Sequence, residues 1–197
     1  TEWASSSLTL GGSGASNYTL TGGAVLAQIT PAPLGVALDA VYNGTTRFTS
    51  TGGATNAAAG TVSTGGSLQV AGLMGSERLT EVTVSDANAD VVTAGKSVTA
   101  AAGSNGFVAS NYALRVGANS SVAGGAITSA NNTVAITPAP LGVAAAPTYN
   151  GSTDFTATAG VAHGTTGSLT TGGSVSVAGL VNGQTLGGFS LDSANVV

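Results

Sequence analysis

Ile29-Thr30-Pro31-Ala32-Pro33-Leu34-Gly35-Val36-Ala37 recurs as Ile136-Thr137-Pro138-Ala139-Pro140-Leu141-Gly142-Val143-Ala144, an offset of 107 residues. The same offset carries Tyr42-Asn43-Gly44-Thr45-Thr46 onto Tyr149-Asn150-Gly151-Ser152-Thr153. It also carries Thr64-Gly65-Gly66-Ser67 onto Thr171-Gly172-Gly173-Ser174, and Val70-Ala71-Gly72-Leu73 onto Val177-Ala178-Gly179-Leu180. Four anchors at one spacing, with no gap between them, are a duplication rather than low complexity. Duplication at a fixed period points to a repeat architecture.

A second match lies outside this block. Ala15-Ser16-Asn17-Tyr18-Thr19-Leu20 corresponds to Ala109-Ser110-Asn111-Tyr112-Ala113-Leu114 at an offset of 94. The two offsets differ by 13 residues, which fall in Val116–Thr133, a Gly-, Ser-, Ala- and Asn-rich stretch that reads as an extended loop or hairpin. The order is therefore the tail of one module (1–28), a complete module (29–135) and the head of another (136–197). Joining Val197 to a following Thr1 restores the Val-Val-Thr run seen at Val91-Val92-Thr93. Two arrangements are expected from this: one period of a longer covalent array, or separate subunits joined head to tail, each completing its neighbour's split module.

Within a module, short apolar-alternating runs separated by Gly, Asn and Ser predict strands and turns. The candidates are Ala24–Ile29, Gly35–Val41, Ser67–Ala71, Leu79–Val84, Ser97–Ala101 and Tyr112–Val116, with equivalents in the second copy. Leu68 and Val70 flank Gln69, and Val82 and Val84 flank Thr83, the period of a half-buried strand. With 31 glycines and no long 3.6-residue apolar stripe, helices are not expected. The predicted fold is all-β, a tandem of small β-sandwich-like modules (Ig-like or β-grasp-like) forming an elongated rod. Asn43-Gly44 and Asn150-Gly151 predict primed hairpin turns, because both residue types tolerate positive φ. Pro31, Pro33, Pro138 and Pro140 lack a ladder donor and favour extended backbone, so they read as stiff linkers between modules.

Tyr42-Asn43-Gly44-Thr45 and Tyr149-Asn150-Gly151-Ser152, the Ile29 and Ile136 linkers and the Tyr18 and Tyr112 strands together resemble the YDG-type repeats of bacterial haemagglutinin-like and other large surface adhesins. The resemblance covers essentially the whole chain. Asn stands where the family has Asp, which keeps the turn and removes a charge. The resemblance implies a repeated β-module of a cell-surface or secreted protein, without catalytic activity.

Composition narrows the function classes. Only 4 of the 197 residues are Lys or Arg against 8 Asp and Glu, giving a net charge of −4. Arg47, Arg78, Lys96 and Arg115 are scattered, so neither nucleic acid nor an anionic membrane surface finds a basic cluster. Cysteine is absent, and with it disulfide and thiolate chemistry. No apolar run approaches the ~18 residues of a membrane span, and an export signal is expected outside this stretch.

Candidate chemistry is sparse. His163 is the single histidine, its counterpart is Asn56, and a solvated loop position outweighs a catalytic role. Asp86-Ala87-Asn88-Ala89-Asp90 resembles the opening of a calcium loop, making Asp86, Asn88 and Asp90 weak metal candidates. Val91 stands where the sharp-turn glycine belongs and Ser97 where the closing glutamate belongs, so an ordinary polar turn is the stronger reading. Gly95-Lys96-Ser97 lacks the leading glycine of a phosphate loop. Lys96 is the sole lysine, which excludes repeated Lys–Asn isopeptide cross-links. Tyr18, Tyr42, Tyr112 and Tyr149 recur by module position and are expected to plug small cores. No cofactor is expected.

The function expected is structural: a stiff, weakly charged, protease-resistant segment of a bacterial extracellular filament or adhesin stalk, as in a biofilm. Its partners are neighbouring copies, with lateral edge pairing as a further route to association. The alternative is a glycan- or receptor-binding adhesin module. A continuous β-solenoid would need a period near 20–30 residues, and an enzyme ranks last.

Overall fold

The computed structural model describes residues 2–3, 9–19, 25–26, 29–85, 96–114 and 132–193. The described chain is all-β. Its only helical turns are two single 3-10 turns, Ala15–Asn17 and Ala109–Asn111. Two short strands, β1 (Glu2–Trp3) and β2 (Val25–Leu26), pair antiparallel with each other. The first copy supplies β3 (Ala32–Val41), β4 (Arg47–Ala54), β5 (Gly60–Val62), β6 (Gly66–Ala71), β7 (Arg78–Val84), β8 (Val98–Ser104), β9 (Tyr112–Leu114) and β10 (Asn132–Thr137). The second copy supplies β11 (Gly142–Pro147), β12 (Asp154–Ala162), β13 (Thr166–Ser168), β14 (Gly173–Ala178) and β15 (Thr185–Ser190).

The strands of the first copy form one eight-stranded sheet in the order β10-β3-β6-β5-β4-β7-β8, with β9 also on β3. Both edges of β3 are used. Gly35–Ala40 pair antiparallel with β6. On the other side, β9 and β10 follow one another, both parallel to β3, opposite Ala32–Leu34 and Val36–Val41 respectively. The sheet curls until its two ends meet through a side chain. Asn132 of β10 accepts a hydrogen bond from the Val98 N–H at 2.7 Å and donates to the Val98 carbonyl at 3.0 Å. The result is a nearly closed, barrel-like sheet rather than the expected two-sheet sandwich.

Inside this sheet Leu34, Val36, Phe48, Leu68, Leu79, Val82 and Val98 are almost fully buried. Each such side chain stabilises the fold by about 1.5–3 kcal/mol relative to exposure. The core is thin, as a composition of valine, alanine and few aromatics predicts. β4 and β5 escaped the sequence reading. In β4 only Phe48 is a large inward residue, and Ser50 takes the next inward position. The Ser50 hydroxyl is buried with no hydrogen-bond partner among the described residues.

The Pro-containing linkers behave unequally. In the first copy Ala32 and Pro33 are drawn into the start of β3, where they pair with β9 alone; a proline there leaves no unmade ladder bond. In the second copy Pro138 and Pro140 lie between β10 and β11, outside both strands. The Asn-Gly turns also differ from expectation. Gly44 and Gly151 have φ of +75° and +74°, but neither Asn43 nor Asn150 has positive φ, so these are not primed hairpin turns. They are Asx turns: Asn43 Oδ1 accepts from the Thr45 N–H at 2.9 Å, and Asn150 Oδ1 from the Ser152 N–H at 2.9 Å. They join β3 to β4 and β11 to β12, strands that are not sheet neighbours.

Candidate functional site

The second copy reproduces half of the first. β12, β14 and β15 begin 107 residues after β4, β6 and β7, and β13 one residue earlier than that spacing. The irregularity in the β4–β7 ladder between Thr49 and Ala54 recurs in the β12–β15 ladder between Thr156 and Val161. A separate core cluster follows the same rule. Phe155, Val161, Leu169, Val175 and Val177 are buried at the positions of Phe48, Ala54, Val62, Leu68 and Val70. Ala157 holds the place of Ser50, so the second copy has no orphan hydroxyl there.

The other half of the module is not reproduced among the described residues of the second copy. β11 pairs with β14, as β3 pairs with β6, but the edge that β9 and β10 cover on β3 has no described strand on β11. The side chains register the difference. Leu34 and Val36 are 0% exposed, whereas their counterparts Leu141 and Val143 are 52% and 43% exposed. The mirror image appears near the other end of the chain. Tyr112 and Ile136 are 8% and 3% exposed, while Tyr18 and Ile29 are 74% and 83% exposed. These large apolar residues lie on two separate stretches of chain, each matching one face of a contact buried in the first copy.

Tyr112 shows what such a residue does when seated. Its hydroxyl donates to the Glu77 carboxylate and accepts from the Met74 N–H, the latter at 2.9 Å. Its ring stacks on Phe107 with centroids 5.2 Å apart. Burial, then the Glu77 hydrogen bond, push the phenol above its ordinary value of 10.0, and the Met74 N–H pulls it back in part. The folded state thus favours the neutral phenol. Its contribution is intact below pH 10 and is lost as the pH rises from there through the folded value. Tyr112→Phe should lower stability by about 1–2 kcal/mol at neutral pH, because Met74 N–H and Glu77 lose their partner. It should also flatten the decline in urea stability between pH 9 and 11.

His163 and Asn56 do related jobs. Asn56 grips the backbone of Leu73, donating to its carbonyl at 2.7 Å and accepting from its N–H at 3.0 Å. His163 Nδ1 accepts from the Gly179 N–H at 2.9 Å. His163 is therefore a turn clasp in an exposed setting rather than an idle loop residue. The two copies also touch. Asn182 Nδ2 donates to the Gly44 carbonyl at 2.8 Å, and Gln184 Nε2 to the Tyr42 hydroxyl at 2.9 Å. A Cβ at Gly44 would lie 2.5 Å from the Asn182 Cβ, whereas a Cβ at Gly151 meets open space. The Tyr42-Asn43-Gly44 turn is thus a joint, and its duplicate is uncovered.

Catalytic and metal chemistry find little support. Among the described residues no group of three or more His, Cys, Asp or Glu could hold a metal. The calcium candidates Asp86, Asn88 and Asp90 lie outside the described residues. A half-open cleft of about 340 Å³ beside Tyr112 is lined by Leu34, Phe107, Leu114 and small residues of β8, with no convergent set of polar groups. No described helix is long and apolar enough to cross a membrane. Comparison with models of protein families, with curated proteins and with solved structures found no match.

Proposed function

We propose that this chain is a structural repeat segment of a bacterial extracellular filament or surface-adhesin stalk, a weakly charged rod built from consecutive β-modules. The observation that carries the reading is the second core, which repeats the first position by position at an offset of 107 while leaving part of its surface uncovered. Duplicated modules that bury their apolar faces against one another are the building principle of extended repeat proteins. The YDG-type resemblance supports a cell-surface setting. The low count of 4 basic residues offers trypsin few sites. Partners are neighbouring modules, either later in a longer chain or in a further subunit.

A glycan- or receptor-binding role is the weaker reading. The exposed aromatics that would serve it, Tyr18 and Tyr149, occupy positions whose counterparts Tyr112 and Tyr42 are used for packing and for the joint. Electron microscopy of native material, with denaturing electrophoresis beside it, tests the proposal. Rods with a regular axial repeat are expected, together with either a very large polypeptide or an 18.6-kDa subunit. Isolated compact particles that bind a glycan array would contradict it.

A further inference from the structure

The geometry points to a specific joint: residues 18–30 of a second copy of this chain lie along the open edge of β11, in the register that β9 and β10 take along β3. This rests on the repeated-module reading and goes further by naming the segment, its direction and its partners residue by residue. In the first copy Tyr112 pairs with Ala32 and Asn132 with Val36, both parallel. Transferring these pairs by the two sequence offsets places the incoming Tyr18 opposite Ala139, Val25 opposite Val143 and Thr30 opposite Thr148. Ile29 then falls in the position of Ile136, and Leu141 and Val143 acquire the cover that Leu34 and Val36 already have.

Three observations favour this occupant over an unrelated strand. The exposed apolar residues of the segment and of the β11 edge are counterparts of residues that contact one core in the first copy. The segment already has the local shape required. Tyr18 follows its 3-10 turn at φ −130°, ψ 145° and bonds its N–H to the Ala15 carbonyl, as Tyr112 follows its own turn at φ −125°, ψ 144° and bonds to Ala109. The acceptor is also provided. Gln184 holds the place of Glu77, and with its Nε2 on Tyr42 its Oε1 is oriented to serve the incoming Tyr18 hydroxyl. The 13-residue difference between the two offsets is accommodated, because it falls between the strand matching β9 and the strand matching β10, where register is not shared.

The joint is between copies rather than within one. The segment enters at the Ala32 end of β3, whereas β11 follows β10, which ends level with Val41. Ten residues of strand at ~3.3 Å each separate those ends by about 30 Å. Donor and acceptor therefore sit at opposite ends of the first module, and the assembly they generate is open-ended. Strand addition to an unpaired edge is a general mode of protein association.

The test uses the 197-residue chain, which has no cysteine, carrying Thr30→Cys and Thr148→Cys. Paired strand residues lie within disulfide reach. Oxidation should give a reducible ladder of multimers at least tenfold more abundant than in a Thr30→Cys, Thr165→Cys control. In the otherwise native chain, Ile29→Asp should weaken assembly at least tenfold in sedimentation, since Ile29 is exposed in the single copy and its loss spares both cores. No ladder, an equal ladder in the control, or a fast-migrating internally bridged monomer would each overturn the inference. Filaments that form without the register-specific ladder would overturn this joint while leaving the repeat-rod reading intact.

Discussion

Gly66→Ala is expected to destabilise the chain by about 3–5 kcal/mol, the sum of a left-handed backbone penalty and an overpacked contact. Gly66 opens β6 at φ +97°, and an added Cβ would lie 2.1 Å from the Asp39 carbonyl oxygen and 3.0 Å from the Ala40 Cα. Neither is the end of a flexible side chain, so relief requires β3 and β6 to separate where Ala40 pairs with Gly66. Gly75→Ala is the matched control. It also has positive φ, at +59°, but its Cβ would meet open space, so a loss of about 1–2 kcal/mol is expected. Urea unfolding of the two variants separates conformation from close approach, and equal losses would refute the steric account. Gly173 repeats the arrangement at φ +95° with a Cβ 2.2 Å from the Ala146 carbonyl oxygen. This gives a physical reason for the Thr-Gly-Gly-Ser anchor in both copies.

Asn132→Leu should cost about 3 kcal/mol although it keeps the side-chain volume. Asn132 is 3% exposed and serves both backbone groups of Val98. Leucine leaves a buried N–H and a buried carbonyl unpaired, at about 1–3 kcal/mol each. The cost should appear in urea unfolding and in faster amide exchange at β8 and β10, the two edges that Asn132 joins. A loss below about 1 kcal/mol would mean that the sheet is held closed by packing alone.

These two residues mark how much could be read in advance. The duplication, the all-β character and the Thr-Gly-Gly-Ser anchors follow from spacing and composition, because a repeated core leaves repeated letters. β4 was missed because Thr49, Thr51, Gly52 and Gly53 dilute the alternation that Phe48 begins, and a three-residue strand such as β5 carries no period at all. The parallel pairing of β9 and β10 with β3 joins residues some 80 to 100 positions apart, and no local pattern encodes it. Asn132 was invisible for the same reason. An asparagine in an Asn-rich stretch reads as a turn until Val98 is placed beside it. The Asn-Gly motifs were located correctly as chain reversals but assigned the wrong geometry, since the Asn43 side chain caps its own turn rather than adopting positive φ. Of the candidate site, the split of the modules was legible. That the same split leaves Leu141, Val143, Tyr18 and Ile29 exposed required the fold.

Amide hydrogen exchange of the 197-residue chain at increasing concentration tests the central claim most directly, because a strand added to β11 must protect its backbone. The account predicts that protection rises together at Gly142–Pro147, Tyr18 and Ile29 as copies associate, while β12, β14 and β15 keep the exchange rates of the dilute protein. Exchange at β11 that stays independent of concentration, or protection that rises at β11 without Tyr18 and Ile29, would contradict it.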